Sequence, residues 1–184
     1  MKLAQLNAGL FFGTDTGNTE EVGERIQKEL ASHGIEIELI NINESSPELL
    51  ESFDFLIFGI PTWDFGGIQQ DWEELEAEFL SCNLSGKLTA LYGLGDQFGY
   101  GDYFLDAMGW LHERVLKTGA TVIGAWPTEG YEFTESLALN EDRSAFCGLA
   151  IDEDQQFELT DERISKWVTQ LIDECSQLLD EQSA

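Results

Sequence analysis

The sequence predicts an α/β fold in which a mostly parallel sheet is covered on both faces by helices. Three observations carry this. Short apolar runs that barely alternate, as strands buried on both sides do, recur at Leu6 to Phe12, Phe55 to Phe58 and Leu88 to Leu94. Amphipathic helical patterns separate them, which implies right-handed crossovers and parallel pairing. Each run also gives way to glycine, at Gly13, Gly59 and Gly93. In such sheets a ligand sits at the carboxyl ends of the strands, near a topological switch point.

The elements follow in order. After the first strand, Val22, Ile26 and Leu30 lie four apart on one stripe of a helix starting at about Asn18, with Gly34 placed to end it. Ile35 to Ile40 alternates cleanly, as a half-exposed edge strand does. A turn around Asn43 to Pro47 leads to the second apolar run, which is expected to stop at Gly59, Ile60 and Pro61. A helix over roughly Asp71 to Leu80 turns Trp72, Leu75 and Phe79 inward. The fourth strand, Leu88 to Leu94, precedes a helix over Tyr103 to Lys117 with Leu105, Met108, Leu111 and Val115 as its core face. Thr121 to Trp126 reads as a fifth strand. Regularity then lapses until the strand-like run Phe146 to Ile151, and an amphipathic helix from Thr160 to Leu179 closes the chain, followed by a frayed acidic tail at about 180–184.

With 184 residues, 42% of them hydrophobic, the chain is read as a single domain spanning 1–184. Asp and Glu number 36 against 9 Lys and Arg, a net charge of -27, so nucleic acid and anionic membranes are repelled and a basic protein is the favoured partner. Cys82, Cys147 and Cys175 are far apart and odd in number, which implies neither a disulfide framework nor a zinc site. They read as small buried hydrophobes. The first apolar run is short and enters a glycine turn, so neither a signal peptide nor a membrane span is expected, and the chain reads as cytoplasmic.

The loops after the strands hold the chemistry. From Gly13 the chain runs Thr14, Asp15, Thr16, Gly17, Asn18, Thr19 into a helix, so backbone N–H groups, three hydroxyls and the positive helix end converge on a seat for one phosphate. A nucleoside triphosphate site would need a lysine after the last glycine, where Asn18 stands. The same turn is served by an ordinary capping box of Asn18 and Glu21. The second loop, PTWDFGGIQQDW, puts Trp63 directly after a buried strand; the third, GLGDQFGYGDYF, sets Tyr100 between Gly99 and Gly101. Two aromatics beside a phosphate seat suggest a flat ring stacked between them. Glycines at 66, 67, 93, 95, 99 and 101 permit close backbone approach. His33 reads as a helix-end residue and His112 as lying on an exposed helix face, and no general acid, nucleophile or metal ligand stands out.

T-D-T-G-N-T, then P-T-W with G-x-x-Q-x-D-W, then G-x-G-D-Q-x-G-Y, in this order and on these loops, resemble the flavodoxins over essentially the whole chain. The irregular stretch from Pro127 to Cys147 is similar to the insertion that splits the fifth strand in long-chain flavodoxins. The resemblance implies a five-stranded sheet in the order 2-1-3-4-5, noncovalent FMN and one-electron transfer between redox proteins. By position, Thr14, Asp15, Thr16, Gly17, Asn18 and Thr19 would hold the phosphate. Pro61, Thr62, Trp63, Asp64, Phe65 and Gly66 would lie beside the flavin N5 edge. Gly93, Leu94, Gly95, Asp96, Tyr100 and Asp102 would line the other side, with Trp63 and Tyr100 on opposite ring faces and Asp152 near the ribityl chain.

On that reading, Asp64, Asp96 and Asp102 crowd a flavin whose phosphate seat has no cation. One negative charge ~10 Å away at a dielectric of ~20 costs about 1.7 kcal/mol, roughly 70 mV on a one-electron couple. Repulsion of this kind, stacking on Tyr100, and a carbonyl offered to N5 by rotation of the Asp64 to Phe65 peptide would separate the two reduction steps. The expectation is a low-potential carrier using the semiquinone/hydroquinone couple, a monomer served by a ferredoxin/flavodoxin-NADP reductase-type donor and other redox enzymes through its acidic surface. A flavin enzyme such as a quinone reductase would need one flavin face open, and a non-redox domain on the same fold would hold no flavin.

Overall fold

In the computed structural model, which describes residues 2–184, β1 (Ala8–Phe12) is buried along its whole length. α1 (Asn18–Ser32) buries Val22, Ile26 and Leu30. Gly34, at φ 75°, follows the cap residue His33, and the N–H groups of Gly34 and Ile35 donate back to the carbonyls of Ala31 and Leu30, closing the helix. Ile35 and Ile37 are buried and Glu36 and Glu38 exposed, the expected alternation, although β2 pairing itself covers Glu38–Asn41. A short helix, α2 (Pro47–Glu51), fills what reads in sequence as a plain connection. Its signals are the Ser46 hydroxyl accepting from the Leu49 N–H and proline at the first helical position.

β3 (Phe55–Trp63) is longer than expected, continuing through Pro61 to Trp63. The reason lies in the register. β1 accompanies β3 only as far as Gly59, whereas β5 (Leu88–Leu94) stays beside it to Pro61. Past Gly59 one side of β3 has no partner from β1, so the N–H that proline lacks is not missed there. A three-residue turn then folds β4 (Gly67–Ile68) back onto Thr62 and Trp63, and α3 (Gln70–Ser81) follows, burying Trp72 and Phe79 fully and Leu75 partly.

α4 (Asp106–Lys117) begins three residues later than the apolar pattern suggests. Leu105 takes a left-handed conformation, φ 59°, and the Phe104 N–H donates to the Glu135 carbonyl, so the 3-10 turn Gly101–Tyr103 is set off from α4 and serves a loop contact. Leu105, Met108, Leu111 and Val115 are nonetheless buried. The fifth strand is split. β6 (Thr121–Ile123) pairs with residues 88–90 of β5 and stops before Gly124; β7 (Trp126–Pro127) and β8 (Ala145–Phe146) form a separate antiparallel pair; β9 (Leu149–Ile151) then returns beside residues 92–94. The main sheet therefore runs β2-β1-β3-β5, with β6 and β9 sharing the last edge, all parallel. This is the expected 2-1-3-4-5 order with an inserted hairpin. α5 (Thr160–Ser183) is helical through Ser183, so residues 180–183 are not the frayed end expected of them.

Adjacent residues of β5 show the two covered faces. Tyr92 reaches the α1 side, where its hydroxyl donates to the Thr19 carbonyl at 2.7 Å, and Gly93 faces Met108 and Leu105 on the α4 side. Gly59 has room for no side chain, because a methyl group there would overlap the Tyr92 ring. This packing fixes where β1, β3 and β5 end, and hence where their loops meet. Among the described residues no helix is long and apolar enough to cross a membrane.

Candidate functional site

The turn after β1 is built around Gly17, whose φ of 92° is readily adopted only without a side chain. Gly17 is the N-cap of α1, its N–H donates to Thr14 Oγ1 at 2.9 Å, and no side chain caps the helix. The capping box of Asn18 and Glu21 is therefore not what forms here: Asn18 is already the first helical residue. The leading N–H groups of α1 have no intrahelical acceptor, so the helix end presents donors and a positive dipole. Thr14, Thr16, Asn18 and Thr19 bring this end to one wall of a cavity of about 320 Å³.

The other walls come from the neighbouring strand ends. β3 contributes Pro61, Thr62 and Trp63, with Asp64 just beyond it; β5 and its loop contribute Leu94, Gly95, Asp96 and Tyr100; Glu153 and Asp154 follow β9. Trp63 and Tyr100, from different loops, line the same space, and the Trp63 indole N–H is buried without a partner among the described residues. Thr62 is held by accepting at Oγ1 from the Ala107 N–H, 3.0 Å, at the start of α4. Beyond it Asp64 (φ 44°) and Gly66 (φ 84°) both take left-handed conformations, which lets three residues reverse the chain.

The cavity is negative. None of its lining residues is Lys, Arg or His, and four are acidic: Asp64, Asp96, Glu153 and Asp154. The Asp64 carboxylate, as hydrogen-bond partner and as charge, raises the Tyr100 phenol. Partial burial would raise Asp96, but donors from Gly99, Gln155 and Phe98 outweigh it and hold its carboxyl below the usual range. Asp154 is pushed up by burial and by the charges of Asp96 and Asp152. Glu153 is neutralised from outside: Arg25 of α1 reaches it at 2.7 Å and Asp161 at 2.7 Å.

Most of the residues expected at the site converge on this cavity; several stand apart from it. Asp15 is exposed and accepts from Gln69 Nε2. Gly17 shapes the turn, Gly66 lies against Asp106, and Gly93 packs under α4. Phe65 is 76% exposed and meets Tyr100 and Tyr103 edge-to-face at 5.8 and 5.7 Å. Asp102 lines a second depression beyond Tyr100, of about 530 Å³, with Phe65, Phe98, Tyr103 and Glu132. Asp152 is fully buried and spends its oxygens on the N–H groups of Gln97, Asp154 and Gln155 and on the Gln97 amide. Of the four acids that line the cavity, Asp64 and Asp96 are among those the sequence predicts; Glu153 and Asp154 are not, although D-E-D directly after a buried strand marks the position.

Nor is His112 on an open face: it is half-buried beside Leu137, Leu139 and Cys147 of the insertion, and burial lowers its pKa. Cys82 and Cys175 are buried, while Cys147 is half-buried with its thiol pushed up to about 12 by burial.

Comparison with known proteins agrees with this architecture. The family model described as Flavodoxin matches residues 10–167. Flavodoxin 2 of Escherichia coli strain K12 is 46% identical to this chain over 172 residues, 94% of this chain and 98% of its own length. A flavodoxin of Haemophilus influenzae is 49% identical over 166 residues, 90% and 94% respectively. Among solved structures, a Fusobacterium nucleatum flavodoxin bound to flavin mononucleotide superimposes with a TM-score of 0.85 at 30% identity, covering 93% of this chain and 99% of that one.

Proposed function

The chain belongs to the flavodoxin family of FMN-binding electron carriers, and on that premise we propose that the cavity bounded by Thr14–Thr19, Trp63 and Tyr100 is its FMN site. It is an electron-transfer protein, not an enzyme. The observation that carries the assignment is the continuity of one cavity from an uncapped helix N-terminus to the space between two aromatic walls. The donor set fits the cofactor: a phosphate suits the α1 end, and the unpartnered Trp63 N–H suits a polar edge. FMN, once bound, supplies one-electron redox chemistry.

The chain's own residues do the rest. Thr14, Thr16 and Thr19 surround the phosphate end with hydroxyls, and in the absence of a cation among the lining residues the helix dipole provides the positive field. Asp64, Asp96 and Asp154 make further negative charge near the ring costly, which favours a low potential. Asp64 and Gly66, both left-handed, frame a turn whose central peptide can rotate to offer either the Asp64 carbonyl or the Phe65 N–H to the ring edge. Trp63 and Tyr100 cover the faces and leave an organic substrate little room.

The exposed Phe65, Phe98 and Tyr103, which with Asp102 and Glu132 line the depression beyond Tyr100, would give a redox partner an apolar surface among acids beside the cavity. A basic partner such as a ferredoxin/flavodoxin-NADP reductase-type protein is steered there, weakly and with salt sensitivity. The same negative charge keeps copies apart as monomers, and three unpaired cysteines suit a reducing, cytoplasmic compartment. Anaerobic reduction of the FMN-loaded protein followed in the visible tests the carrier role. Two resolved one-electron steps are expected; one unresolved two-electron step contradicts the reading.

A further inference from the structure

Gln97 touches no part of the cavity, yet it is 2% exposed and both ends of its amide are used. Its Nε2 donates to Asp152 Oδ2 at 2.8 Å, its Oε1 accepts from the Glu132 N–H at 2.6 Å, and its own backbone N–H donates to Asp152 Oδ2 at 3.0 Å. One side chain thus joins three segments: the loop carrying Asp96 and Tyr100, the end of β9, and the insertion. The insertion grips the same loop again further on. The N–H groups of Thr134 and Glu135 donate to the Gly101 carbonyl at 2.9 and 3.0 Å, and the Phe104 N–H donates to the Glu135 carbonyl at 3.2 Å.

Between these two grips the loop is held by short-range bonds centred on Asp96, whose carbonyl also accepts from the Tyr100 N–H at 3.1 Å. The Phe98 and Gly99 N–H groups fold back on Asp96, and Gln155 Nε2 reaches Asp96 Oδ1 at 3.0 Å. Phe98, Gly99 and Tyr100 are exposed. The Tyr100 ring meets Phe65, edge-to-face at 5.8 Å, and the Asp64 carboxylate, both on the neighbouring loop, so its position depends on the anchors that hold its own backbone.

We propose that Gln97 is a positioning residue for the FMN site, through which the insertion and Asp152 hold Tyr100 as a wall of the cavity. The inference rests on the assignment of that cavity to FMN. A buried amide satisfied at both ends is costly to replace by a group that satisfies neither, so the loss appears in the geometry of the loop that it ties down.

The test is a double-mutant cycle on FMN affinity, measured by flavin fluorescence quenching in the full-length protein. Gln97→Met keeps length and volume but removes both polar ends. In the wild-type background it is expected to weaken FMN about tenfold. In a Tyr100→Ala background the further loss is expected to be less than about twofold, because the group being positioned is gone. The midpoint potentials supply a readout that general destabilisation does not move: Gln97→Met should shift the gap between the two one-electron couples in the same direction as Tyr100→Ala measured alongside it.

Equal losses in both backgrounds, or potentials unchanged by Gln97→Met, overturn the proposal. If Gln97→Met does not fold, Gln97→Asn carries the same comparison, since its amide is one methylene too short to span both partners. Failure of the wild-type chain to bind FMN would instead overturn the site assignment, so the two outcomes are distinct.

Discussion

Arg25 offers a perturbation whose size follows from the structure. Its guanidinium lies 2.7 Å from Glu153 and 2.7 Å from Asp161; the Arg25 and Glu153 side chains are only 27% and 21% exposed, and Glu153 lines the cavity proposed to take the FMN phosphate. Arg25→Gln leaves one uncompensated negative charge at that rim. Against a phosphate of charge about -2 some ~10 Å away, at an effective dielectric of ~20, the added repulsion is about 3 kcal/mol before screening. A Debye length of about 8 Å at physiological salt cuts this to roughly 1 kcal/mol, an affinity loss of about fivefold. At ~0.01 M salt, where the Debye length is about 30 Å, the loss grows to roughly fiftyfold.

The assay is a fluorescence titration of the FMN-free protein with FMN and, in parallel, with riboflavin. Riboflavin has no phosphate and should bind both proteins alike. Glu153→Gln added to Arg25→Gln should restore FMN affinity. A loss shared equally by FMN and riboflavin, or one independent of salt, refutes the argument that Arg25 shields the phosphate end.

Two further changes probe the frame beneath the site. Tyr92→Phe removes the buried hydroxyl that donates to the Thr19 carbonyl, a loss of about 1 kcal/mol and a Tm lowered by roughly 2–4 °C; an unchanged Tm in calorimetry speaks against that bond as a support of α1. Asp106→Asn tests a carboxyl held above the ordinary range by burial, opposed by its hydrogen bond from the Leu137 N–H and assisted by the charge of Glu135. Because the native state holds this proton more tightly than the unfolded chain, wild type loses stability as pH rises from about 3.9 through the native value. The variant lacks that loss and keeps the acceptor for Leu137, so its stability relative to wild type should improve across this window in denaturant titrations. A constant difference across pH contradicts the assignment.

The parts of the fold legible in sequence are those set by burial on both faces. Phe55 to Phe58 and Leu88 to Leu94 announce themselves because burial on both faces demands near-continuous apolar residues, the single threonine, Thr89, satisfying its hydroxyl on the Thr121 carbonyl. Boundaries set by pairing were harder to read. That Pro61 sits inside a strand depends on where β1 ends beside it, and that α4 starts only after Leu105 depends on the insertion bonding to Phe104. The site followed the same division. Trp63, Tyr100 and the Thr14–Thr19 turn are legible because strand ends and glycines locate them. Asp152 stays out of the cavity and Glu153 lines it for a reason one segment cannot reveal: the buried Gln97 claims the first carboxylate, and Arg25 stands opposite the second.

The most direct measurement is a crystal structure of the FMN-loaded protein. The account places the ring between Trp63 and Tyr100 and the phosphate on the leading N–H groups of α1, with Thr14, Thr16 and Thr19 around it. Flavin found in the depression beyond Tyr100, or a phosphate away from that turn, would contradict it.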